Sequence, residues 1–172
     1  LTEYFSGKSA KDLTLCRSDF ADAYGIDLRL GTKAVSINQH TRTVTTQHGE
    51  ELTYDKLILA TGSYAFVPPI PGNDRENCFV YRTIEDLDAI RAASLNAKTG
   101  VVIGGGLLGL EAAKALRDLN LETHVVEFAP RLMAVQIDDL GGKVLRSKIE
   151  NLGVKVHTQK ATSSIEDGAN AK

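Results

Sequence analysis

A glycine-rich turn between an apolar strand and a helix restricts the possible folds of this chain more than any other feature. Residues 101–103 are Val-Val-Ile, and residues 104–109 are Gly-Gly-Gly-Leu-Leu-Gly. From Leu107 to Leu119 the apolar residues recur with helical spacing. A strand that passes directly into a helix through such a turn is typical of α/β folds with a parallel sheet.

The three outer glycines fit the pattern G-x-G-x-x-G, and each has its own steric reason. Gly104 permits a tight turn, Gly106 lets a pyrophosphate approach the backbone, and Gly109 lets the helix pack closely on the sheet. The backbone amides of Leu107 and Leu108 lie at the helix N-terminus, which favours an anion. A glycine turn that serves packing alone is the alternative. The context of strand and helix favours a nicotinamide dinucleotide site.

Charged residues near this turn predict how the nucleotide is bound. Glu127 ends the next predicted strand about 20 residues after the glycines, where a carboxylate binds the adenosine ribose; a surface acid is the alternative. A carboxylate there repels a 2′-phosphate, whereas Arg131 is positioned in sequence to attract one, so NADPH stays open. Glu111, in the first turns of the helix, either matches the helix dipole or faces the nicotinamide.

Strands and helices alternate through the second half of the chain. Strands are predicted at 101–103, 123–127 and 154–157, with helices at 107–119 and 137–152, which indicates a right-handed parallel sheet. The last helix is predicted to bury five residues: Ile137, Leu140, Val144, Ile149 and Leu152.

The first half of the chain reads differently. Alternation of β-branched and polar residues predicts an antiparallel meander of strands at 34–38, 43–47 and 52–54. We also expect a helix over 18–24 with Ser18 as its N-cap, a half-buried strand over 26–30, and a buried parallel strand over 56–61.

A proline-rich connection at residues 66–72 marks a domain boundary near residue 75, because prolines cannot enter a sheet interior. After it, Thr83 and Asp86 form a capping box for a helix over 84–95. Leu87, Ile90 and Ser94 make up the predicted buried stripe of that helix.

Composition excludes several functional classes. The net charge of -2 leaves no basic field for nucleic acid, and no apolar run is long enough to span a membrane. Cys16 and Cys78 make neither a disulfide framework nor a thiolate metal site, and the four histidines lack metal-ligand spacing. We expect a soluble, cytoplasmic chain with no metal site.

Four stretches together resemble the pyridine nucleotide-disulfide reductase superfamily, in its branch without a redox dithiol: YDKLILATGS (54–63), VPPIPG (67–72), YRTIEDLDAI (81–90) and VVIGGGLLGLEAAKAL (101–116). Closer still, CFVYRTIEDLDAI from Cys78 and ETHVVEFAPRLMAVQID ending at Asp138 resemble the large subunits of bacterial NADH-dependent nitrite reductases. The resemblance covers essentially all of the chain.

The resemblance implies a fold, cofactors and further site residues. Residues 1–75 would be the C-terminal part of an FAD-binding domain with the antiparallel meander, and residues 76–172 an incomplete Rossmann-like NAD(P)H-binding domain with the parallel sheet. Five residues would contact FAD: Val35 through its backbone at the adenine, Ala60, Thr61 and Gly62 beside the flavin, and Arg82 near the flavin. From its residue types alone, the Ala60–Gly62 stretch is only weak evidence for a cofactor site.

The resemblance also implies an activity. Hydride would pass from NADH to FAD, and electrons would go onward to iron-sulfur and siroheme centres that reduce nitrite to ammonia. The ligands of those centres would lie outside these residues, in the remaining domains, and a small subunit is an expected partner. We therefore expect a fragment that is inactive by itself. A rubredoxin or ferredoxin reductase and a non-catalytic NAD-binding module are the alternatives.

Overall fold

The computed structural model describes residues 2–168, which fall into two compact units. Thr14–Tyr64 form one unit, and the described residues before and after it form the other. In chain order the elements are α1 (Thr2–Phe5), a 3-10 helix (Lys11–Leu13), α2 (Phe20–Ala23), β1 (Ala34–Asn38), β2 (Thr43–Thr46), β3 (Glu51–Thr53), α3 (Ile84–Ser94), β4 (Thr99–Ile103), α4 (Leu107–Asp118), β5 (Glu122–Val126), α5 (Asp139–Asn151) and β6 (Lys155–His157). Within 2–168, no helix has the length and hydropathy needed to cross a membrane.

The Thr14–Tyr64 unit contains the predicted antiparallel meander, which is confirmed. Strands β1, β2 and β3 pair in that order, and Val44 in the middle strand lies opposite both Ile37 and Leu52. Thr46 at the end of β2 is 3% exposed, and its hydroxyl accepts hydrogen bonds from the backbone amides of His48 and Glu50. The buried hydroxyl therefore stabilises the turn into β3.

Two further strands predicted in this unit are wrong. Residues 26–30 and 56–61 are irregular, and the side chains of Ile58 and Leu59 are 86% and 67% exposed. A strand is stable only when a neighbour completes its backbone hydrogen bonds. Among the described residues no strand pairs with either segment, so apolar character alone does not order them.

Helix α2 is shorter than the predicted 18–24 span. Asp19 rather than Ser18 is its N-cap residue, and the Asp19 side chain makes no capping hydrogen bond. Gly25 follows the helix with φ +63, a conformation that favours glycine, and so ends it where the sequence predicts.

Residues at the start of the chain pack on α3, although no periodic pattern predicts an element there. The Tyr4 hydroxyl donates to Asp88 at 2.8 Å, and the Arg91 guanidinium lies 4.7 Å from the centre of the Tyr4 ring. The hydrogen bond to Asp88 raises the pKa of Tyr4. These contacts connect α1 to α3 within one unit.

The predicted capping box of α3 is confirmed. The Thr83 hydroxyl accepts from the backbone amide of Asp86, and the Asp86 carboxylate accepts from the amide of Thr83 at 2.7 Å. Leu87, on the predicted stripe, is fully buried. Helix α3 therefore begins at the predicted residue, for the predicted reason.

Replacing Thr83 with Ala is expected to lower the free energy of unfolding by about 1 kcal/mol. The reason is that the Asp86 amide loses its hydroxyl acceptor. Thermal unfolding followed by circular dichroism measures the effect, and Thr83→Ser, which keeps the hydroxyl, is the control. Equal unfolding temperatures for the Ala and Ser variants would contradict the prediction.

The predicted parallel sheet is also confirmed, in the order β4-β5-β6. Val102, Val125 and Val156 lie side by side in register on the face that packs against α4 and α5. Val125 is fully buried there, and Leu132 from the loop after β5 joins the same core. The turn from β4 into α4 is thereby attached to the core of this unit.

The predicted buried face of α5 is partly wrong. Ile149 packs against the core as expected, but Leu140, Val144 and Leu152 are 72%, 55% and 51% exposed. The helix begins at Asp139, two residues later than predicted, after the N-cap Asp138. Its inward face instead presents Gly142, Leu145 and Ile149. Gly142 packs closely against Arg131, because a Cβ there would lie 2.8 Å from the Cδ of Arg131.

Two histidines that appear scattered in the sequence meet on the opposite face of this sheet. The Nδ1 atom of His124 lies 3.0 Å from Nε2 of His157, and the rings stack with centroids 5.2 Å apart. Parallel register explains the pair, because β5 and β6 are neighbours. Across residues 2–168, no three His, Cys, Asp or Glu side chains are grouped as a metal site would require.

The proline-rich connection runs beside a later part of the chain. The backbone amide of Ile165 donates to the carbonyl of Pro71 at 2.8 Å, and Arg75 forms an ion pair with Asp167. The compact units divide the chain at Tyr64. The assignment of residues 1–75 to an FAD-binding domain and of residues 76–172 to an NAD(P)H-binding domain stays a prediction.

Candidate functional site

Two glycines of the β4–α4 turn are required by backbone geometry. Gly104 has φ +112, and its amide donates to the carbonyl of Val126 at 2.8 Å. A Cβ at Gly109 would lie 2.0 Å from the carbonyl oxygen of Gly104. A positive φ and so close an approach both exclude side chains. The turn is therefore tight and packs directly against the first turn of α4.

Gly106 differs, because nothing lies within 4 Å of the position its Cβ would occupy. It is the N-cap of α4, and no side chain caps the helix there. Leu107 and Leu108 follow it, and each is 58% exposed. Space is therefore open beside the first turn of α4, and the leading amides of a helix have no acceptor within the helix; together these features suit a phosphate group.

Glu127 connects the glycine turn to the loop that follows β5. Its Oε2 accepts from the Gly105 amide at 2.5 Å, and its Oε1 accepts from the Ala129 amide at 2.6 Å. A carboxylate offers about four lone-pair sites, so each oxygen retains capacity for one more donor. The side chain is half-buried. It can therefore organise the turn and still accept hydrogen bonds from a ribose.

The loop over residues 128–138 packs against the same turn. Leu132 is fully buried, and its Cδ2 lies 2.6 Å from where a Cβ of Gly105 would be. The backbone amide of Met133 donates to the Gly105 carbonyl at 2.9 Å. Gly105 is thus held by both its amide and its carbonyl.

Arg131 lies within this loop and makes three polar contacts. Its Nε donates to the carbonyl of Ile137 at 2.9 Å, and one terminal nitrogen donates to the carbonyl of Ala134 at 3.1 Å. The other forms an ion pair with Asp139 at 2.7 Å. Each of the three guanidinium nitrogens therefore has one acceptor within the protein. The role of Arg131 in attracting a 2′-phosphate stays a prediction.

Glu111 is half-buried on α4, in the second turn after the glycines. Its position on the helix that begins at the glycine turn fits either of its predicted roles. Its role at the nicotinamide stays a prediction.

The residues predicted to contact FAD are divided between the two compact units. Val35 on β1 is 56% exposed, and Ala60, Thr61 and Gly62 lie in an irregular, exposed segment of the same unit. Gly62 has φ +74, a conformation that favours glycine. Arg82 belongs to the other unit, where its amide donates to the Asp86 carboxylate at 3.1 Å. All five FAD roles stay predictions.

Sequence reasoning missed four residues of this site: Gly105, Ala129, Leu132 and Met133. Gly105 stands at a position that the glycine pattern leaves unspecified, so a third consecutive glycine was the available signal. Ala129 and Met133 act through backbone amides, which no side-chain pattern reveals. Leu132 looks like an ordinary core residue.

Comparison with known proteins gives consistent results. A family model described as pyridine nucleotide-disulphide oxidoreductase matches residues 7–172. The chain is 60% identical over 165 residues to the nitrite reductase [NAD(P)H] large subunit of Klebsiella oxytoca, covering 96% of this chain and 17% of that protein. It is 51% identical over 173 residues to the nitrite reductase (NADH) large subunit of Escherichia coli (strain K12), covering 100% and 20%.

Among solved structures, the ferredoxin reductase of the CYP199A2 system from Rhodopseudomonas palustris superimposes with a TM-score of 0.86 at 27% identity, covering 97% of this chain and 41% of that one. The chain thus spans about a fifth of the two nitrite reductase subunits. The family match covers both the glycine turn and the meander. From its sequence and its fold together, the chain belongs to the pyridine nucleotide-disulphide oxidoreductase family.

Proposed function

We propose that this chain forms the electron-input part of an NADH-dependent nitrite reductase. The uncapped N-terminus of α4, open beside Gly106 and next to the Glu127 carboxylate, is the observation that carries the nucleotide assignment. Identities of 60% and 51% to two nitrite reductase large subunits support the choice of enzyme.

The glycine turn would hold the pyrophosphate of NADH. The amides of Leu107 and Leu108 would donate to its oxygens, and the missing Cβ of Gly106 would let those oxygens approach the backbone. Gly104 and Gly109 would keep the turn close enough to the sheet for this geometry. These residues would bind and orient the nucleotide, and they would exchange no proton with it.

Glu127 would accept hydrogen bonds from the adenosine ribose through its remaining lone pairs. Both of its oxygens are already fixed by the amides of Gly105 and Ala129, so the carboxylate needs no reorganisation when the ribose arrives. A 2′-phosphate would bring a second negative charge to the same place, which favours NADH over NADPH.

FAD would lie against Val35, Ala60, Thr61 and Gly62, and Arg82 would be near its flavin ring. Bound flavin supplies the redox chemistry, by accepting a hydride from NADH and releasing single electrons. This chain's residues would orient both cofactors and exclude water.

Further centres would lie beyond these residues. We propose that iron-sulfur and siroheme groups elsewhere in the intact protein take the electrons to nitrite, and that a small subunit assists. Residues 1–75 and 76–172 would then be the FAD and NAD(P)H parts of the input module, in the cytoplasm.

Anaerobic titration of the intact protein with NADH tests this proposal. We expect NADH to bleach the flavin absorption, with more than one equivalent needed because the further centres also take up electrons, and the absorption to return when nitrite is added in excess. A flavin that NADH reduces but nitrite cannot reoxidise would contradict the nitrite assignment. A protein without flavin absorption would instead support a non-catalytic nucleotide module.

A reductase for a small iron-sulfur protein is the second candidate, since the ferredoxin reductase superimposes with a TM-score of 0.86. Its identity is 27%, against 60% and 51% for the nitrite reductase subunits. Reoxidation of the reduced flavin by ferredoxin or rubredoxin, in the absence of nitrite, would favour this candidate.

A further inference from the structure

The loop over residues 128–138 has no regular secondary structure, yet its middle, at Leu132 and Met133, lies against the glycine turn. Met133 has φ +48, a conformation that a residue with a side chain adopts only when its surroundings impose it. Its carbonyl accepts from the amides of Gln136 and Ile137, and its amide donates to Gly105. Contacts with neighbouring residues therefore help to keep the loop in this conformation.

Arg131 is the side chain best placed to do so. It stands two residues before Met133, and it donates to the carbonyls of Ala134 and Ile137, which follow Met133. The same guanidinium pairs with Asp139 in the first turn of α5. Its side chain is 27% exposed and packs against Gly142 of that helix. Arg131 therefore joins both halves of the loop to α5.

Two contacts connect the 128–138 loop to the glycine turn. Leu132, the residue after Arg131, is fully buried against Gly105, and the Met133 amide bonds the Gly105 carbonyl. Gly105 in turn donates to Glu127. A change in the loop would therefore move the turn that precedes Gly106, together with the carboxylate beside it.

The hydrogen bonds of Arg131 hold its guanidinium at the loop and α5 in the absence of any nucleotide. Each of its three guanidinium nitrogens already donates to a carbonyl or a carboxylate oxygen. These hydrogen bonds use three of its five N–H donors, so the guanidinium is held in place whether or not a 2′-phosphate is bound. The planar fork of arginine suits three acceptors at fixed positions, which the ammonium of lysine cannot reproduce.

We infer that Arg131 is a positioning residue for the dinucleotide, fixing the 128–138 loop against the glycine turn and thereby strengthening NADH and NADPH binding alike. The inference rests on the proposed nucleotide site. It differs from the expectation that Arg131 attracts a 2′-phosphate, and the experiment below separates the two roles.

Two variants of Arg131 in the intact protein test this inference, with Arg146→Gln as a matched control. Arg146 on α5 also makes three hydrogen bonds, to Glu150, Thr158 and the Val156 carbonyl, but none to the 128–138 loop. Dissociation constants for NADH and NADPH come from nucleotide fluorescence, with the flavin reduced beforehand so that no hydride is transferred. Amide hydrogen exchange at Met133 and Gly105 reports the loop directly.

In Arg131→Gln and Arg131→Lys, we expect both nucleotides to bind more weakly by the same factor, on the order of tenfold, because small displacements of a binding geometry have effects of that size or more. Exchange at Met133 and Gly105 should accelerate in both variants. With Arg146→Gln, neither quantity should change. Asp139→Asn, which alters a side chain that is 83% exposed, should have a smaller effect than either Arg131 variant.

Three results would overturn the inference. A loss confined to NADPH and rescued by Arg131→Lys would make Arg131 a phosphate ligand. Equal losses in the Arg131 and Arg146 variants would indicate general destabilisation. Unchanged exchange at Met133 would show that the loop does not depend on Arg131. If the unmodified protein binds no nucleotide, the proposed function fails, while the exchange measurement still decides this inference.

Discussion

Replacing Gly106 with Val is expected to abolish measurable NADH binding and to lower the unfolding temperature only slightly. No atom lies within 4 Å of the position of a Cβ at Gly106, so the fold has room for a side chain. The pyrophosphate would need that same space. A loss of at least about 100-fold in affinity corresponds to about 2.8 kcal/mol. Isothermal titration with NADH, on protein whose flavin is already reduced so that no hydride is transferred, measures the affinity, and thermal unfolding measures the stability.

Gly109→Ala is the matched control, because this change in the same turn is expected to lower stability. A Cβ at Gly109 would lie 2.0 Å from the Gly104 carbonyl oxygen, which forces α4 away from the sheet. Overpacking of this kind costs about 1–3 kcal/mol or more in the free energy of unfolding. Similar NADH affinity in Gly106→Val and the unmodified protein would mean that the turn serves packing alone.

Replacing Glu127 with Ala is expected to weaken NADH binding by at least about tenfold, since charge-assisted hydrogen bonds contribute roughly 1.5–3 kcal/mol. NADPH should lose less, because removal of the carboxylate also removes its repulsion of the 2′-phosphate. The ratio of kcat/KM for NADPH over NADH should therefore rise on the order of tenfold. An artificial electron acceptor restricts the assay to flavin reduction.

The same variant is expected to destabilise the glycine turn, because the amides of Gly105 and Ala129 lose their acceptor. Glu122→Ala is the control: this carboxylate lies at the opposite end of β5 and pairs with Lys155. Its nucleotide preference should match that of the unmodified protein. If Glu127→Ala also keeps the unmodified cofactor ratio, the ribose is bound by other residues.

Much of the fold could be predicted because local chemistry decides it. The capping box at Thr83 is complete within four residues, and the meander follows from alternation and turns. Parallel strands β4, β5 and β6 follow from apolar runs separated by helices. The predicted strands over 26–30 and 56–61 fail for a different reason: a strand depends on a partner elsewhere in the chain, and apolar residues alone do not supply one.

For the candidate site, the sequence by itself determined the glycine turn, the acidic residue directly after β5 and the start of α4 at the turn. These depend on residue types whose geometry is intrinsic: glycine tolerates φ +112 at Gly104, and a helix N-terminus leaves amides free. Only the tertiary structure decided that Glu127 bonds Gly105, that Arg131 holds the 128–138 loop, and that Gly142 turns inward in place of Leu140. Those contacts join backbone groups and side chains from separate elements, and a pattern along one segment carries no information about the distance between two.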